Sequence, residues 1–162
     1  MKLSCDEYYY NLIYERPDVY AFELEVKYEE DNNLQTIWMQ FGETIDDSMN
    51  HLSSSWWNVA LSIYNKRKDM YTNMDNKKST GKDLIRNFII ARKMFDALEL
   101  ITVEKAILYQ RDIVIYCHWE DNRRRDAYYK VLSKKGYYYG TAPWGQKVLM
   151  KKFKWKDYKE IL

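Results

Sequence analysis

Glycine (5 residues) and proline (2) are scarce in this 162-residue chain, which excludes long linkers and a loop-dominated fold. Cysteine is scarcer still in function-bearing patterns. Cys5 and Cys117 stand far apart with no CxxC pair, and the opening "MKLSCDEYYY" carries acids where a secretory peptide needs an apolar core. Thiols in a reducing compartment are therefore expected, not a structural disulfide. His51 and His118 are the only histidines, and with no HxxxH pair no metal site is expected. No apolar run approaches the roughly 18 residues that a membrane span needs, so no membrane partner is expected.

What the chain does have is apolar and aromatic mass. Hydrophobic residues make up 46% and aromatics 17%, enough for a packed core and against disorder. Sixteen tyrosines and six tryptophans exceed what a small core consumes. Charge is lopsided although the net is only +2. Residues 1–50 carry 3 Lys/Arg against 12 Asp/Glu, whereas residues 123–162 carry 12 against 3. Either the surface is polarised, or the two ends pair and neutralise each other.

Local patterning sets out the elements. "VYAFELEVKYE" (19–29) and "LQTIWMQF" (34–41) alternate with period two about the turn-forming "EDNN", which predicts a β-hairpin. Residues 42–55 read as loop, "WWNVALSIY" (56–64) as a strand and "MYTNM" (70–74) as a weaker one. The clearest helix is 79–101, where Thr80 and Asp83 have capping-box spacing and Leu84, Phe88, Ala91, Phe95 and Leu98 form a stripe. "RDIVIYCHW" (111–119) is apolar nearly throughout, the pattern of a strand buried on both faces. A second helix over 122–136, stopped by Gly136, and a strand over 145–155 complete the order. "DEYYYNLIYERPDVY" (6–20) shows no clear period. It is either an arm, residues 1–17, or a third sheet-edge segment.

This order predicts an α/β fold, one mixed β-sheet packed by two main helices, as a single domain over 1–162. The Thr80–Gly81 turn opening a long helix, the strand from Ile113 and "NRRRDAYYKVLSKKGYYYG" then resemble the GNAT (N-acetyltransferase) fold. More narrowly, they are similar to small bacteriophage proteins that carry a GNAT-like fold, and the likeness covers roughly half the chain. The resemblance implies a GNAT-like domain and, for an acyltransferase, an acetyl-CoA pyrophosphate held at the helix N-terminus by Lys78, Thr80, Gly81 and Lys82. Two departures stand out. Gly81 is alone where the family has a glycine-rich loop. Four residues before Gly136, where the family commonly places a proton-donating tyrosine, stands Leu132. Tyr128 and Tyr129 lie one turn earlier and are the substitute donors if the chain is an enzyme.

Other chemistry is thinner. On a strand Cys117 and His118 point to opposite faces and form no direct thiolate–imidazolium pair. His118 and Glu120 share a face, as a base and its orienting carboxylate, at the C-terminal end where open α/β sheets place ligands. Arg123, Arg124, Arg125, Lys134 and Lys135 are candidates for binding an anionic partner. With Tyr137, Tyr138, Tyr139, Trp144 and Trp155 nearby, that partner could be nucleic acid. Tyrosine and tryptophan enrichment fits a protein partner.

The leading expectation is a phage-encoded accessory or virion-associated interaction protein on a GNAT-like scaffold, without enzymatic activity or cofactor. It would reside in the host cytoplasm or the virion. An acyl-CoA-dependent N-acyltransferase and a nucleic-acid-binding protein remain open beside it.

Overall fold

The computed structural model describes residues 2–5, 8–16, 21–30, 33–44, 52–65, 70–73, 84–119 and 122–158. They fall into two compact units, Met1–Phe41 with Ala60–Ala97, and Gly42–Val59 with Leu98–Leu162.

In the first unit β1 (Lys2–Cys5), β2 (Tyr8–Arg16), β3 (Ala21–Glu30) and β4 (Asn33–Glu43) neighbour one another in chain order. The alternating segments form β3 and β4, neighbours in the sheet as the expected hairpin requires, and Met39 and Phe41, alternate residues of β4, are buried. The lead-in without a clear period is a strand, β2, paired antiparallel with β1 and β3. Leu12 pairs with Leu24 and Tyr14 with Glu23, so the register steps past Ile13. Such a bulge breaks the two-residue period that marks a strand in sequence. The outer part of β5 (Ser54–Asn65) pairs antiparallel with β6 (Met70–Asn73), the segments read as a strand over 56–64 and a weaker one over 70–74.

The second unit, which takes in the end of β4 from Gly42, β5 to Val59 and α1 from Leu98, is α/β, with one mixed five-strand sheet in the order β4-β5-β7-β9-β8 and few helices. β7 (Asp112–Cys117) lies parallel to β5, in register from Ser54–Asp112 to Asn58–Tyr116. β9 (Lys147–Phe153) is antiparallel to both β7 and β8 (Tyr138–Thr141). Register separates two faces. Trp57, Ile115 and Lys151 form one row across β5, β7 and β9, with Leu149 and Phe153 alternating on the same side. Trp56, Val114, Tyr116 and Val148 lie on the other side, where Ala142, Leu52 and Met150 close over them. Both sides of β7 are thus covered, which explains its uninterrupted apolar sequence.

Both long helices end in a left-handed closure, one on a glutamine and one on a glycine. α1 (Leu84–Tyr109) runs beyond the expected end at 101, because the apolar stripe continues through Ile101 and Ala106, both buried. It closes on Gln110 at φ 50, with Gln110 N–H donating to the Ile107 carbonyl and Arg111 N–H to that of Ala106. The same closure ends α2 (Asn122–Leu132) and its 3-10 extension Ser133–Lys135. There Gly136 at φ 91 donates to the Ser133 carbonyl and Tyr137 to that of Leu132. A short α3 (Trp155–Tyr158) follows β9. Among the described residues no helix is long and apolar enough to cross a membrane.

β8 is absent from the sequence expectation, which ran from the second helix directly to a last strand. Pro143, Trp144 and Gly145 join it to β9 in a three-residue hairpin. Gly145 N–H donates to the Ala142 carbonyl, Ala142 N–H donates to that of Gln146, and Gly145 takes φ 94. Proline at the turn's second position and glycine at its left-handed one are the chemistry such a loop needs.

Candidate functional site

The stretch from Trp119 to Thr141 turns a buried strand into an exposed aromatic face. β7 ends at buried Cys117, His118 and Trp119 are half-buried, and α2 follows. The turn at Gly136 then carries the chain from α2 into β8, so that helix and strand lie side by side. Their tyrosines meet there. Tyr129 of α2 and Tyr139 of β8 stack with centroids 4.7 Å apart and planes 12° from parallel. Trp119 meets Tyr139 nearly edge-on, at 5.6 Å and 78°. Tyr129 (42%), Tyr138 (48%) and Tyr139 (45%) nevertheless keep close to half their surface. Packing against its neighbours pushes the Tyr139 hydroxyl above the ordinary tyrosine value. Nearby Arg125 opposes the shift, and Asp126 and Tyr129 reinforce it. At neutral pH Tyr139 is therefore a neutral phenol.

Beneath β9 the basic residues are partly used within the fold. Glu99 of α1 holds two lysines, Lys151 at 3.3 Å and Lys135 at 3.7 Å. Lys151 also donates to the Lys135 carbonyl at 2.7 Å and lies over the rings of Tyr137 and Phe153. Lys152 pairs with Asp112 on the opposite face. Lys135, expected among the residues facing an anionic partner, is thus engaged with Glu99, its side chain only 10% exposed. Arg125 pairs with its neighbour Asp126 at 3.0 Å, and Lys134 is exposed.

The other expected residues divide by place. Lys78, Thr80, Gly81, Lys82 and Glu120 lie outside the described residues. Arg123 and Arg124 fall in the first turn of α2. Tyr128 is half-buried, while Tyr129 belongs to the stacked pair. Leu132, four residues before Gly136, is buried with 4% of its surface left. The sequence reading ran from the helix ending at Gly136 to a strand over 145–155, and so missed the strand that presents Tyr138 and Tyr139. Its signal was the Pro143–Gly145 hairpin.

A second aromatic cluster occupies the far face. Trp144, 39% exposed at the hairpin tip, meets Trp56 at 5.7 Å and Tyr116 at 5.3 Å, both steeply inclined. Trp56 and Tyr116 also touch, and the Tyr116 hydroxyl bonds to that of Thr44 at 2.5 Å. Burial pushes the Tyr116 hydroxyl upward, with Thr44 opposing the shift. Edge-on contacts of this kind add about 0.5–1.5 kcal/mol each beyond area burial, so this cluster reads as structural. Among the described residues no three His, Cys, Asp or Glu side chains come together as metal ligands.

No protein-family model matches this chain, nor does any curated protein or solved structure.

Proposed function

We propose that this chain is a non-enzymatic interaction protein on a GNAT-like scaffold, a phage-encoded accessory or virion-associated protein that works by docking another protein. The observation that carries the reading is the Trp119–Tyr139–Tyr129 face beside a basic helix, with Tyr129 and Tyr139 exposed. Tyrosine and tryptophan held rigidly at a surface supply contact area at low entropic cost, which is why they dominate protein–protein hot spots.

Three further features support it. Strands in the first half, then the long α1, the apolar β7, α2 and a last strand β9 follow the element order on which the resemblance rests. Buried Leu132 stands where an acyltransferase commonly has its proton donor, and leucine has no proton to give. The β5–β7 pairing is continuous to Tyr116, one residue short of the end of β7, whereas an acyl-CoA cleft calls for the two strands to part. The phage attribution, and with it residence in the host cytoplasm or the virion, comes from the resemblance of the Thr80–Gly81 helix opening and the 113–138 stretch.

Calorimetric titration with acetyl-CoA, with desulfo-CoA as a second ligand, tests the absence of enzymatic function. No heat at millimolar ligand is expected. Micromolar binding that disappears in Gly81→Trp would overturn the reading in favour of an acyl-CoA-dependent N-acyltransferase, with Tyr128 and Tyr129 the next residues to substitute.

A further inference from the structure

We infer that the outer edge of β8 is where the partner docks, and that the docking element is an acidic, extended segment of another protein that adds a strand to the sheet. This rests on the interaction reading above and specifies its geometry and its chemistry.

β8 ends the strand order of its sheet, and among the described residues only β9 pairs with it. The hairpin fixes which backbone groups remain open. Ala142 N–H bonds to the Gln146 carbonyl, so the 142/146 pair is hydrogen-bonded. Antiparallel pairs alternate, so Gly140–Val148 and Tyr138–Met150 are hydrogen-bonded as well. The N–H and C=O groups of Tyr139 and Thr141 therefore point away from β9, spaced to receive a further strand.

Sheet edges are ordinarily blunted by charge, proline or a bulge. β8 reads Tyr-Tyr-Gly-Thr, uncharged, free of proline and regular in register throughout. Tyr138, Tyr139 and Thr141 are all exposed, so the edge is reachable.

Charge selects the occupant. Residues 122–158 contain 11 Lys/Arg against 2 Asp/Glu. Glu99 is shared by Lys135 and Lys151, Asp112 pairs with Lys152 and Asp126 with Arg125, so these carboxylates offset only part of that charge. Lys130, Lys134 and Lys147 remain exposed, on α2, on the turn before β8 and on β9 opposite Thr141. A segment carrying acids on alternate positions complements them, and main-chain bonds to the edge give the pairing its geometry. A single-stranded nucleic acid also brings negative charge, but it needs open ring faces for its bases. Tyr139 already has Tyr129 stacked on it and Trp119 against it.

The test is fluorescence anisotropy of the full chain with a labelled peptide of about ten residues alternating glutamate and valine. Thr141→Pro removes one outward N–H without touching a bond to β9, and Thr141→Val keeps that N–H. Circular dichroism checks that both variants fold. Expected are saturable binding, a loss of at least about tenfold in Thr141→Pro, retention in Thr141→Val, and a similar loss when lysine replaces the peptide's glutamates. No peptide binding, or equal binding to Thr141→Pro, overturns the edge inference and leaves the broader interaction reading standing. Self-association that Thr141→Pro abolishes overturns the assignment in favour of a second copy of this chain. Tight binding of a poly(dT) oligonucleotide in place of the peptide overturns the inference and the protein-docking reading together, whereas acetyl-CoA binding strikes the non-enzymatic reading alone.

Discussion

β7 and β8 lie one strand apart in the same sheet, with β9 between them, and they meet their surroundings in opposite ways. β7 has a strand on each side and five consecutive buried residues, Ile113 to Cys117. From Ile113 to Tyr116 its backbone is paired on both sides, and both its faces are covered. β8 has one strand beside it and no fully buried residue. Its tyrosines extend the aromatic surface sideways on one face towards α2 and leave Tyr138 on the other. The centre of this sheet is built for stability. Its edge shows what a finished structural element would have hidden, and that contrast is the strongest pointer to function in the molecule.

Substitutions graded from centre to edge sharpen or break the contrast. Trp57→Ala, in the row beside Ile115 with 1% of its surface exposed, should cost about 3–5 kcal/mol in urea denaturation. Glu99→Ala leaves Lys135 and Lys151 without their shared carboxylate. A loss of about 1–2 kcal/mol is expected, between the values for surface and buried pairs. Gly136→Ala forces a side chain into a left-handed backbone at φ 91 and should cost about 1 kcal/mol. The reverse exchange at the other helix end, Gln110→Gly at φ 50, should be neutral or stabilising.

Alkaline pH separates buried from exposed phenols. Because burial raises Tyr116 above 10.0, the unfolded chain gives up that proton first. Its contribution to stability is complete below pH 10.0 and is lost as pH rises through the folded value, and Tyr116→Phe should remove that part of the decline. The smallest effect belongs to the edge. Tyr138→Ser should change stability by less than about 0.5 kcal/mol. A cost like that of Trp57→Ala would mean that β8 is part of the core, and the contrast would fail.

The centre was legible in the sequence and the edge was not, for physical reasons. A strand covered on both faces must be apolar at every position, and "DIVIYC" is. The β3–β4 alternation and the Gly136 stop were equally plain. α1 was read short because its terminal left-handed position holds Gln110, where glycine would have announced the end. β2 was obscured because the bulge at Ile13 breaks the alternation. β8 went unread because four residues without a buried side chain carry no hydrophobic period, and only the Pro143–Gly145 turn betrays it. At the candidate site, the sequence marked the tyrosines and the basic helix. It could not show that Tyr129 would stack on Tyr139, because that depends on the unread strand β8, nor that Lys135 would turn inward to Glu99, a partner far back along the chain.

Residue-resolved hydrogen exchange on the unliganded protein tests the contrast most directly. Slow exchange of the β7 amides and of Gly140, with fast exchange at Tyr139 and Thr141, is the expected pattern. Protection at Tyr139 and Thr141 equal to that in β7 would mean that the edge is already occupied within the chain, and would contradict it.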